Sequence, residues 1–144
     1  MTNTTVLDVS GTASLGGSVT TADSLTIDGT LTFTAAVTLD STGTQATDDI
    51  TLAAVVGGAN TLTLDAGDTG AISVTGGATN LASLTITDSD GATFAGAVNA
   101  TTSVVLTDTS NNSDIIFNGD LTTATLTTQA QGYDIAINEN ATIT

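Results

Sequence analysis

Ser83-Leu84-Thr85-Ile86-Thr87-Asp88-Ser89-Asp90-Gly91-Ala92-Thr93-Phe94-Ala95-Gly96-Ala97-Val98 is followed by Ser103-Val104-Val105-Leu106-Thr107-Asp108, a polar turn, Ile115-Ile116-Phe117 and then Leu121. Both tracts open on Ser and an apolar-x-apolar pair. An Asp-bearing turn comes next, then a second apolar strand centred on Phe94 or Phe117, then a small or polar bend. Thr123-Ala124-Thr125-Leu126, continuing through Ile137 to Ile143, lies on the same frame, as do the segments starting at Thr61 and, more loosely, Ala36. The starts at 36, 61, 83, 103 and 123 are 20 to 25 residues apart, the period of a solenoid coil. A unit this small has too little apolar surface to fold alone, so stacking on its neighbours must create the core.

Outside these tracts the same local signal recurs. Leu25-Thr26-Ile27, Val37-Thr38-Leu39, Ile50-Thr51-Leu52, Leu62-Thr63-Leu64 and Ile72-Ser73-Val74 alternate apolar and polar residues, the period of a half-buried strand, and no stretch shows helical spacing. The clusters Gly57-Gly58-Ala59-Asn60 and Ser110-Asn111-Asn112-Ser113-Asp114 punctuate them as turns. The reading is one all-β domain over 1–144, a flattened or three-sided parallel β-solenoid (β-helix) of about six coils. With rungs about 4.8 Å apart it forms a rod near 30 Å long. Residues 1–35 read as irregular N-terminal coils or a cap, and 36–144 as regular repeats. The absence of Pro fits, because each internal coil needs its backbone N–H groups. The alternative is an antiparallel β-sandwich, which explains the strands but not their shared frame.

Composition narrows the chemistry. The 144 residues include 15 acidic ones and no Lys, Arg, His, Cys, Pro or Trp, for a formal net charge of −15. An ordinary chain is about 25% charged with both signs present. Without cations there is no phosphate neutralisation of nucleic acid, no basic patch for anionic lipid, and no Lys or Arg phosphate clamp. Histidine acid–base chemistry and thiol chemistry are removed as well. The longest apolar run, around Ala53–Val56, is far too short for a membrane span, and the first twenty residues carry no secretory leader pattern. Carboxylate pairs such as Asp48/Asp49, Asp88/Asp90 and Asp114/Asp120 lack the basic and aromatic company that holds a sugar, so the chain reads as non-enzymatic.

Two residue patterns remain as candidate sites. Asp28, Asp40, Asp65, Asp88 and Asp108 each fall at the end of an apolar burst, so stacked coils bring carboxylates about 5 Å apart, where like charges repel. The oxygen-rich turns Asp65-Ala66-Gly67-Asp68 and Asp88-Ser89-Asp90-Gly91 offer ligands of the kind Ca²⁺ takes. That makes Asp65, Asp68, Asp88, Asp90 and Asp108 candidate calcium ligands, with solvated turn aspartates as the plain alternative. Thr-x-Thr pairs at Thr30/Thr32/Thr34, Thr61/Thr63, Thr85/Thr87 and Thr123/Thr125/Thr127 are similar to the ice-binding faces of some antifreeze proteins. Unequal coil lengths are expected to keep those pairs from lining up, and Thr also suits strands on its own account.

The tracts Gly91–Val98 and Thr101–Thr107 resemble the Thr/Gly/Ala-rich repeats of large bacterial surface proteins, the filamentous-haemagglutinin and autotransporter-like adhesins. The resemblance spans most of the chain from about residue 24 and is one of rhythm and composition. It implies a parallel β-solenoid with an extracellular or cell-surface structural role, and assigns no functional residue. The resulting expectation is a subunit of an extracellular filament or adhesin stalk. It stacks head to tail on copies of itself, with calcium as a stabilising ion, no nucleic-acid partner and no membrane insertion. An ice-binding or glycan-binding module of a larger adhesin, with surface glycans as partners, is the alternative.

Overall fold

The structure is a computed structural model describing residues 5–41, 43–110 and 113–144; Asn111 and Asn112 of the polar turn lie outside these. The described residues contain no helix. Fourteen strands follow in chain order: β1 (Leu7–Val9), β2 (Ala13–Leu15), β3 (Val19–Thr20), β4 (Leu25–Phe33), β5 (Val37–Asp40), β6 (Ile50–Asp65), β7 (Ile72–Val74), β8 (Ala78–Asp88), β9 (Ala92–Phe94), β10 (Val98–Leu106), β11 (Asp114–Phe117), β12 (Leu121–Thr128), β13 (Asp134–Ile137) and β14 (Ala141–Ile143). Every pairing among them is parallel, which excludes the sandwich.

The register resolves the coil into three faces. Leu7, Leu25, Ile50, Ile72, Ala92, Ile115 and Ile135 stack at the start of the first face. Ala13, Leu31, Val55, Ala78, Val98, Leu121 and Ala141 stack on the second. Leu62, Leu84, Val104 and Leu126 stack on the third. The result is six three-sided coils and a seventh described over its first two faces. The third-face positions Thr61, Ser83, Ser103 and Thr125 share one column, so the last coil's frame begins at 125 rather than 123.

Alternation sorts each strand into core and surface. On the first face Val9, Ile27, Leu52, Val74, Phe94, Phe117 and Ile137 form an inner column, whereas Asp8, Thr26, Thr51, Ser73, Thr93, Ile116 and Ala136 form the outer one. Between Ile27 and Phe117 the inner column is essentially fully buried. Phe94 and Phe117 stack with ring centroids 5.2 Å apart and planes 11° from parallel. Full burial of each such side chain stabilises by roughly 1.5–3 kcal/mol.

Coil length varies, yet the first corner barely does. Second-face residues Ala13, Leu31, Ala78, Val98, Leu121 and Ala141 lie six positions after their first-face counterparts, and Val55 lies five after Ile50. Most of the surplus collects in the corner leading back from the third face to the first, longest between Asp40 and Ile50, and a smaller share sits between the second and third faces, where the register shifts between Val56 and Asn60. Glycine explains the tight corner. A Cβ on Gly96 would sit 2.5 Å from the Gly76 carbonyl carbon, and one on Gly119 would sit 2.5 Å from the Gly96 carbonyl carbon. A Cβ at either position would hold the two coils apart.

Gly96→Ala is therefore expected to lower stability by about 1–3 kcal/mol in urea unfolding, the range for forcing atoms into a packed site. Gly17→Ala, whose Cβ meets nothing within 4 Å, should stay within about 0.5 kcal/mol of the parent.

Candidate functional site

Third-face strands run apolar-polar-apolar and then turn, so the residue that follows the last inward side chain sits on the rim of the face. Asp40 pairs in register with Asp65, and Asp65 with Asp88. Asp108 stands two residues past Leu106, as Asp88 does past Ile86, and Leu106 pairs with Ile86. Four coils thus place a carboxylate along one edge. Just inside that edge Thr21, Ser41, Ala66, Ser89 and Thr109 occupy corresponding positions, all buried. Ser89 and Thr109 hydroxyls lie 3.0 Å apart, and Thr109 Oγ1 donates to the Ser89 carbonyl at 2.6 Å.

The edge raises carboxyl affinity for protons. Asp88 is pushed up to about 6, first by burial, then by the neighbouring Asp68 carboxyl through a shared hydrogen bond and its charge, with a smaller push from Asp108; the Ser89 N–H opposes these. Its Oδ1 is enclosed and has no hydrogen-bond partner among the described residues. Burial also raises Asp65, offset by the Gly67 N–H that donates to its Oδ1 at 3.3 Å, while Asp40 adds a further upward push.

The five aspartates singled out in the sequence are divided between two settings. Asp65, Asp68, Asp88 and Asp108 belong to this rim, where Asp108 also accepts from the Thr109 N–H at 2.8 Å and from Gln131 Nε2 at 3.4 Å. Asp90 is exposed and accepts a hydrogen bond from Ser113 Oγ at 2.6 Å, beside an open groove of about 490 Å³ that also includes Asp114. Among the described residues no three acidic side chains converge closely enough to enclose a metal ion.

The Thr-x-Thr pairs do not line up as pairs, as expected: Thr30/Thr32 lie on the second face and Thr85/Thr87 is offset by two from Thr61/Thr63, although single threonines of the third face share columns. Thr63, Thr85, Val105 and Thr127 form one outer column and Thr61, Ser83, Ser103 and Thr125 the next. Serine and valine interrupt the Thr pairs, and Ser103 Oγ donates to Ser83 Oγ at 2.9 Å, so these hydroxyls bond along the ladder.

Two features escaped the sequence reading. Asp48, considered there only as half of an acidic pair, is completely buried, with its Oδ1 unpartnered among the described residues. Both ends of the coil stack also present apolar side chains. Leu7, Val9, Ala13, Leu15, Val19 and Ile27 line a cavity of about 280 Å³ at the first coil, and Ile143 is 51% exposed at the last. Comparison with known protein families, curated proteins and solved structures finds no match to this chain.

The rim fixes the sign of the pH response. Folded Asp88 keeps its proton up to about pH 6, whereas an ordinary carboxyl with a value of 3.8 has already lost it. The folded state therefore binds more protons in that window, and stability rises as pH falls from 7 towards 4. Thermal melts should show this rise. Asp88→Asn should melt higher than the parent at pH 7.5 and flatten the rise; a parent that loses stability between pH 7 and 5 contradicts the assignment.

Proposed function

We propose that the chain is a structural element of an extracellular filament or adhesin stalk, extended by head-to-tail stacking of β-solenoid coils. One observation carries this reading: the apolar inner column of the first face runs unbroken from Val9 to Ile137, and its end members are less covered than its middle ones. Leu126, Tyr133, Ile135 and Ile137 are only partly buried, while their counterparts in the middle coils are sealed. An open end of this kind combines apolar surface with a row of unpaired strand groups, the features that natural proteins otherwise blunt.

A second copy fits that end in kind. Leu7–Val9 of one copy continues the column above Ile135–Ile137 of another, and Ala13–Leu15 continues above Ala141–Ile143, adding two parallel ladders in the established register. These two ladders form the junction. The carboxylate edge does not meet itself across the junction, because the rung before Asp40 carries Thr20, and beyond Asp108 the next coil offers Gln131, which donates to Asp108. Such a contact is heterologous and non-closing, hence fibre-forming. With no Lys or Arg the rod offers no trypsin-type cleavage site, which suits an exposed location. Divalent cations that neutralise the −15 charge would favour assembly.

Negative-stain electron microscopy of the purified chain, with and without CaCl₂, tests the reading. Long uniform fibres are expected, and replacing Ile137 and Ile143 by Lys should leave single short rods of the same fold by circular dichroism. Single rods from the parent chain at high concentration in both conditions would overturn self-stacking and leave another polypeptide segment to cover the ends.

A further inference from the structure

Asp48 lies in the longest corner of the solenoid, the excursion between Asp40 and Ile50, and its side chain is turned inward with no exposed surface. One carboxylate oxygen is satisfied: Oδ2 accepts the Gln45 N–H at 2.7 Å. The other, Oδ1, has no hydrogen-bond partner among the described residues. A Cβ on Gly43 would overlap Asp48 Oδ2 and lie 2.8 Å from the Ala22 carbonyl oxygen, so the carboxylate and that carbonyl both pack against this unsubstituted Cα. Ser41 Oγ turns its hydrogen away, donating to the Asp48 backbone carbonyl at 2.6 Å.

A wholly buried carboxylate with a free oxygen is strongly destabilising unless a positive charge or a proton meets it. This chain has no Lys, Arg or His anywhere to supply one. We propose that the corner around Asp48 binds a hard, oxygen-seeking cation, with Asp48 as the charged ligand and the Ala22 carbonyl as a second oxygen. A single carboxylate beside carbonyl oxygen matches the low charge count of weak sites; for Ca²⁺ that class binds at about 10⁻⁴–10⁻³ M. The ion pins the excursion to the coil beneath and completes the buried polar column begun by Thr21 and Ser41. This site is separate from the rim carboxylates and does not depend on filament formation.

Thermal unfolding of the full chain in tetramethylammonium chloride at fixed ionic strength and pH 7.5 tests the site, with CaCl₂ or NaCl replacing part of the salt. A saturable rise in midpoint is expected with one of them, equivalent at ten times the dissociation constant to about a tenfold gain in the folding equilibrium. The arm that responds identifies the ion. Asp48→Asn should lose the saturable rise yet melt above the parent in tetramethylammonium alone, since it removes the buried charge. Asp88→Asn should keep the rise. A parent that responds to neither ion, or an Asp48→Asn variant that responds like the parent, overturns the proposal.

Discussion

Each internal coil has to find its strand hydrogen bonds in the coils above and below, because the strands of one coil do not pair with each other. That requirement sets a distance of about 4.8 Å between successive rungs on every face. Much of the sequence follows from it. Proline is absent, inward positions hold side chains that stack on their own kind, and the first corner carries glycine where a methyl group would hold two backbones apart. The Phe94–Phe117 stack belongs to the same rule, since flat rings tolerate ladder spacing better than edge-on ones.

The same spacing concentrates charge. Side chains at one register position repeat up the rod, so a polar choice made once is made as a column. Threonine and serine columns benefit by bonding along the axis, as Ser103 to Ser83 and Asn138 Nδ2 to Asn118 Oδ1 at 2.8 Å show. Aspartate columns do not, and the molecule moderates them by placing the acids at the rim, by N–H donors such as that of Gly67, and by proton sharing between Asp68 and Asp88. The buried Asp48 lies outside this arrangement, with Oδ2 bonded to the Gln45 N–H and Oδ1 enclosed without a partner among the described residues.

How much of this was legible in the sequence depends on how far each feature is local. The repeat starts at 36, 61, 83 and 103 coincide with the third face, because its strands carry the strongest alternation of large apolar residues and Thr or Ser. The first-face strands around Phe94 and Phe117 are equally clear. The second face was hidden: its inward positions include Ala13, Ala78, Ala100 and Ala141 and the buried Thr123, which look like turn residues until neighbouring coils cover them. Thr123 also displaced the last frame by two, for its hydroxyl bonds to the Thr125 carbonyl at 3.0 Å while Thr125 itself holds the third-face column. Of the candidate site, the rim acids were readable from their place after each strand. Asp48 was not, since nothing in Thr47-Asp48-Asp49 tells which carboxylate turns inward; that is decided by the coil below.

The unequal corners carry a consequence for how such a rod accepts change. Between the first and second faces the count varies by a single residue, whereas the return corner already runs from short in the first coil to long between Asp40 and Ile50 without disturbing the ladders on either side. One seam of the solenoid is thus a line of independent attachment points, each a single rung from the next. Foreign loops grafted there would be displayed in a row at near-molecular pitch, held by a backbone that does not register their length.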